Sequence, residues 1–118
     1  MESRKLLEFC IDKAMERKAA EITSMDLSQL SLICDYFLLL SANNKRHCQA
    51  IADSLREELS HVGAAPLRIE GYRDAGWVLL DCGSVVVHVF QQEERHYYNL
   101  ERLWGDAIIE HHGDIKGN

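Results

Sequence analysis

Residues 77–90 read Trp-Val-Leu-Leu-Asp-Cys-Gly-Ser-Val-Val-Val-His-Val-Phe. Two runs rich in β-branched and aromatic residues flank a glycine, the pattern of a tight β-hairpin. Placing Cys82 and Gly83 in the two turn positions sets Trp77 opposite His88 and Leu79 opposite Val86. Side chains alternate along a strand, so Val78, Leu80, Val85, Val87 and Val89 share one face. Trp77, Leu79, Asp81, Val86, His88 and Phe90 share the other. The first face is plain aliphatic core. The second mixes aromatics with a His and an Asp, a composition suited to a surface that is apolar yet meets something polar. Two readings of it stand at this level: a helix of the same chain covers it, or a partner does.

Working outward, Leu67–Gly71 reads as a further strand, and Tyr36–Leu40 is a continuous apolar run, as a central strand covered on both faces would be. Glu21–Leu27 reads as a half-buried strand carrying Ile22, Met25 and Leu27, followed by a polar turn at Ser28–Ser31. Three helices complete the pattern. In the first, capped by Ser3, the residues Leu6, Leu7, Cys10, Ile11, Ala14 and Met15 form one apolar stripe. The second is capped by Asn43 and Asn44, carries Cys48, Ile51, Leu55, Leu59 and Val62, and ends at Gly63. The third runs from about Arg95 to Ile109, with Leu100, Leu103, Trp104, Ala107 and Ile108 at helical spacing. Leu100, Leu103 and Trp104 read as its core stripe, and Tyr97, Tyr98 and Glu101 are freer to face outward. The order helix, two strands, helix, three strands, helix predicts an α/β (α+β) domain on a single five-stranded mixed sheet flanked by helices. Residues 1–110 form this domain, and 111–118 a polar C-terminal tail.

With 118 residues and 47% hydrophobic content the chain has apolar material for one core. No linker or repeat divides it. Cys10, Cys34, Cys48 and Cys82 are far apart, form no Cys-x-x-Cys pair and sit in apolar runs, which reads as buried thiols in a reducing compartment. Tyr36–Leu40 is much too short to cross a bilayer, and the N-terminus lacks an apolar signal region. The expectation is a soluble cytoplasmic protein with no membrane partner. A formal net charge of −6 disfavours direct nucleic-acid binding, which needs a Lys/Arg stripe; Lys45, Arg46 and His47 mark one helix start only. An acidic surface suits a basic protein.

Catalytic patterns are sparse. Six histidines make no His-x-x-x-His pair, and His111 and His112 are adjacent in the expected tail. His88 reads as a hydrogen-bonded core or interface histidine. The sequence has no Gly-x-x-x-x-Gly-Lys-Ser/Thr loop, no Gly-x-Gly-x-x-Gly and no Gly-x-Ser-x-Gly elbow. Asp26, Asp35, Glu70 and Asp81 come singly, whereas a two-metal site needs clustered carboxylates. The residues favour a binding module over an enzyme, with no catalytic residue, no metal and no cofactor.

The stretch Asp81-Cys-Gly-Ser-Val-Val-Val-His-Val-Phe, followed by Arg95-His-Tyr-Tyr-Asn-Leu-Glu-Arg-Leu-Trp, resembles the ribosomal silencing factor family, also called Iojap-like. So do Glu70-Gly71, Gly76-Trp77, and Arg46-His47 leading into Ile51-Ala52-Asp53. The resemblance implies a nucleotidyltransferase-like fold without the Gly-Ser loop and paired aspartates of catalytic relatives. It also implies a non-enzymatic translation repressor that binds the large ribosomal subunit through a basic, L14-type ribosomal protein at the subunit-joining face. There it would sterically block the small subunit and lower translation when nutrients are scarce. By similarity, Trp77 and Tyr98 lie in the ribosomal-protein contact, with Asp81, His88, Phe90, Arg95 and Glu101 nearby as contact or support. Organellar members carry a targeting extension, whereas here the first expected helix begins almost at Met1, which reads as bacterial. Two further expectations remain: a nucleotidyl- or phosphoryl-transfer enzyme, on fold analogy alone, and a homodimer formed through the mixed face.

Overall fold

Strand β2 (Tyr36–Ala42) is the strand around which the sheet is assembled. It lies next to β1 (Ala20–Asp26), antiparallel, and β5 (Val85–Gln91), parallel. Its alternate side chains enter two separate cores: Leu38 and Leu40 on one side, Leu39 on the other. This is the two-sided burial that its unbroken apolar run predicts. The structure, a computed structural model, describes residues 1–113, without the side chains of 96–98 and 103. With β3 (Arg68–Glu70), β4 (Trp77–Asp81) and β6 (Ile108–His111), the strand order is β3-β4-β5-β2-β1-β6.

The two long helices, α1 (Ser3–Glu16) and α2 (Lys45–His61), share one face of this sheet. Leu6, Leu7, Cys10, Ile11 and Ala14 of α1 are buried as the stripe predicts, and Met15 is exposed at its edge. The N-cap position is Glu2 and not Ser3, which is the first helical residue. In α2 the Asn44 side chain accepts the His47 N–H at 2.8 Å, satisfying a backbone donor that the first helical turn leaves unpaired. Against these helices lie Val78, Leu80, Val85, Val87 and Val89 of the hairpin.

The hairpin forms, with one correction to its register. Cys82 N–H donates to the Val85 carbonyl at 2.9 Å, so the turn residues are Gly83 and Ser84. Trp77 therefore pairs with Phe90 and Leu79 with His88. The cause is local: Gly83 takes φ +84° at the first turn position, which only glycine does cheaply, and the Asp81 carboxylate accepts the Gly83 N–H at 2.9 Å. A slip of two residues preserves the alternation, so both face assignments survive.

The C-terminal third departs from the single expected helix. Helix α3 (Gln92–Tyr98) stops at Asn99, which sits at φ +44° and accepts the Arg102 N–H to start the short α4 (Leu100–Leu103). Asparagine tolerates this left-handed conformation better than most side chains, so the helical periodicity continues across a real break. Ile108 and Ile109 then enter a sixth strand along the free edge of β1, where the sequence reading had five strands and continued helix. β-branched residues suit that role. Strand β6 runs through His111, whose Nδ1 lies 3.2 Å from Thr23 Oγ1; His112 Nε2 lies 2.8 Å from Ser24 Oγ. Residues 114–118 of the expected tail lie outside the described residues.

Trp77 is positioned by a close approach of backbone. Gly71 has φ +78°, and a Cβ there would fall 2.2 Å from the Trp77 carbonyl oxygen. Gly71→Ala is therefore expected to lower unfolding free energy by more than about 1 kcal/mol, since neither backbone conformation nor space accepts the methyl group. Urea denaturation followed by tryptophan fluorescence checks this; an unchanged midpoint would contradict the placement of β4.

Candidate docking face

The second face of the sheet is covered differently. Met25, Leu27, Leu39, Phe90 and Leu100 form a small core there, with Phe37, Trp77, Val86 and Trp104 only partly buried around it. Phe90 lies 5.0 Å from the Trp77 ring, and Phe37 meets the His88 ring edge-on at 4.5 Å and Trp104 at 6.0 Å. Such offset and edge contacts hold the rings rigidly. Trp77 is half-buried, whereas His88 and Phe90 lie beneath the surface.

One hydrogen bond organises this cluster. The Trp77 indole Nε1–H donates to His88 Nδ1 at 3.0 Å. Burial pushes the imidazole down to about 4, so the ring is neutral near pH 7. Because Nδ1 accepts, the single ring proton sits on Nε2. Among the described residues that buried N–H meets no acceptor, a condition that costs about 1–3 kcal/mol in a folded protein.

Arg95 serves a different end of the face. Its buried guanidinium donates to the Glu21 carbonyl, to Ser41 Oγ at 3.0 Å, to Thr23 Oγ1 at 2.8 Å and to Glu101 Oε2 at 3.2 Å. Charge-assisted bonds of this kind are the strong ones, and they fasten α3 onto β1 and β2. Glu21, at φ +49° in a bulge of β1, returns the interaction by accepting Ser41 Oγ–H at 2.9 Å. Glu101 remains partly exposed beside Arg95. Asp81 caps the hairpin turn and pairs with Arg68 at 3.5 Å.

The structure thus brings Trp77, His88 and Phe90 into one aromatic cluster and Arg95 and Glu101 into one polar network. Asp81 stands apart at the turn. Of these residues, Trp77, Asp81 and Glu101 reach the surface, and His88, Phe90 and Arg95 support from below. Tyr98 closes α3, and its side chain lies outside the described residues.

Sequence reasoning missed the apolar ground beside Trp77. A groove of about 420 Å³ runs between the β1–β2 loop, the hairpin and Trp104, lined by Phe37, Leu79, Val86 and His88 among others. Ile33, 90% exposed, and Leu67, 79% exposed, stand on its rim. Leu79 also lines the shallow depression that holds Trp77, so the two surfaces are continuous. Exposed apolar residues gathered in one place mark interaction sites. The available signal was Leu30-Ser-Leu-Ile33 in a loop, four positions with three large apolar side chains.

Among the described residues, no group of three or more His, Cys, Asp and Glu is placed to hold a metal ion, and no helix is long and apolar enough to cross a membrane. Cys10 is pushed up to about 12, and Cys48 and Cys82 to about 11, chiefly by burial, so these thiols are poor nucleophiles near pH 7.

The family model for the ribosomal silencing factor during starvation matches residues 1–117. The chain belongs to the ribosomal silencing factor family. It is 43% identical over 107 residues to a ribosomal silencing factor of Halalkalibacterium halodurans, covering 91% of this chain and 92% of that one. A crystal structure of a protein from Chromobacterium violaceum superposes with a TM-score of 0.86 at 31% identity, covering 89% and 88% of the two chains. A mouse relative, the mitochondrial assembly of ribosomal large subunit protein 1, is 27% identical and matches 83% of this chain and 44% of its own length.

The depressed His88 value has a consequence for stability. The unfolded imidazole titrates near 6.5, so between about pH 6.5 and 4 the unfolded chain binds the extra proton and stability falls as pH falls, by up to about 1.4 kcal/mol per pH unit. His88→Gln, which keeps an acceptor for the Trp77 N–H, should flatten that part of the stability–pH curve. Denaturation midpoints measured across the window check this, and an unchanged slope would place the acid sensitivity elsewhere.

Proposed function

We propose that this family member represses translation by occupancy, docking on the large ribosomal subunit and keeping the small subunit from joining it. The observation that carries the reading is Trp77, held half-exposed by His88 and bordered by open apolar ground rather than sealed under a helix. Tryptophan and tyrosine are frequent hot spots, because they bury large area with few rotatable bonds and carry one polar group. The family resemblance assigns Trp77 and Tyr98 to the contact. Asp81 and Glu101 then offer acceptors to a basic protein of L14 type, and His88, Phe90 and Arg95 hold the face in shape.

Support for the large subunit comes from the name of the mouse relative, and support for a basic protein partner from the net charge of −6. Such a mechanism needs no catalytic group and no cofactor. Its place is the cytoplasm, where the subunits are, and its setting is nutrient limitation.

Trp77→Ala should weaken co-sedimentation with isolated large subunits by about 2 kcal/mol or more, roughly 30-fold, as truncation of a central aromatic anchor does. The variant's circular dichroism and cooperative thermal transition are measured alongside, to separate lost docking from lost folding. Wild-type affinity in a folded Trp77→Ala protein would count against this face.

A further inference from the structure

Docking through the Trp77 indole alone would leave the neighbouring groove empty. His88 is among the residues that line the groove, whereas Trp77, which engages its Nδ1, lines a different depression. His88 is only 3% exposed, so the groove is closed beneath by the aromatic cluster and open only at its rim. An apolar trough walled by Phe37, Leu79 and Val86 matches an apolar side chain.

Charge around the groove narrows the occupant. The Cys34 thiol in its wall is pushed up by burial and then by the neighbouring carboxylates of Asp35 and Asp81. The basic side chain among the lining residues, Arg68, is held by Glu70 at 3.1 Å and by Asp81 at 3.5 Å. The rim is thus acidic, in a chain of net charge −6. That disfavours a nucleic acid, an anionic lipid surface and a second copy of this chain, whose rim would carry the same sign. A cationic polypeptide fits.

We propose that this groove seats an apolar side chain projecting from a basic segment of the docked protein partner. Trp77 and the groove then form one continuous contact, joined at Leu79. The inference rests on the docking reading above but adds a second anchor to it, on the far side of Leu79 from the indole.

The test uses the full chain with isolated large ribosomal subunits. In the double variant Ile33→Glu, Leu67→Glu, both changes fall on exposed rim positions, so the thermal transition should stay at its wild-type value. Affinity in a pelleting assay should fall by about tenfold or more. The uncharged double variant Ile33→Gln, Leu67→Gln should show a smaller loss of the same sign. Wild-type binding by the Glu double variant, with Trp77→Ala defective, overturns the groove and leaves docking at Trp77 standing. Failure of the wild-type chain itself to pellet with large subunits removes the docking reading, and the groove proposal with it. A Glu double variant that alters self-association in sedimentation velocity and leaves subunit binding unchanged assigns the groove to a second copy, and also overturns the proposal.

Discussion

The structure depends on an asymmetry between the two sides of its sheet. Strand β2, apolar throughout its length, demands cover on both faces, yet the chain supplies two long helices to one face and only the short α3 and α4 to the other. The helix-covered side is a saturated aliphatic core, where a large-to-small change would cost about 2–5 kcal/mol. The other side is closed by rings. Phe37, His88, Phe90, Trp77 and Trp104 fill the space that a third long helix would otherwise take, and they leave apolar surface at the rim.

Placing a histidine inside such a cluster is not a solution that stability alone would choose. His88 satisfies the indole of Trp77, and among the described residues its own second nitrogen meets no acceptor. A hydrophobic residue there would remove that cost but also the acceptor that His88 Nδ1 gives the indole N–H. The arrangement therefore trades folding energy for orientation of one tryptophan. Arg95 makes a comparable contribution at the other end: its buried guanidinium ties the carbonyl of the bulged Glu21, two hydroxyl groups and Glu101 to the helix that precedes Asn99. Surface shape in both places is set from beneath.

Much of this was legible in the residues. The alternation in Trp77–Phe90 separated the aliphatic face from the mixed one, and the separation survived a two-residue error in register because the strand period is two. Asn44 and Gly63 marked the ends of α2 for reasons of hydrogen bonding and backbone freedom. Less legible was what depends on distant partners. Ile108 and Ile109 fit both a helical stripe and a strand; only the free edge of β1 decides between them. Nor could periodicity show that Asn99 would break the helix, or that the loop carrying Leu32 and Ile33 would turn these apolar side chains outward. For Arg95 the resemblance leaves contact and support both open, and its burial follows from a bulge that no local pattern announces.

The most direct measurement of the central claim is an electron cryo-microscopy map of the full chain bound to isolated large ribosomal subunits. The account predicts density for the chain on the subunit-joining face, with the sheet side bearing Trp77 against a basic ribosomal protein and helices α1 and α2 turned away from it. A map in which the chain sits elsewhere on the subunit, or contacts it through α1 and α2, would contradict the account.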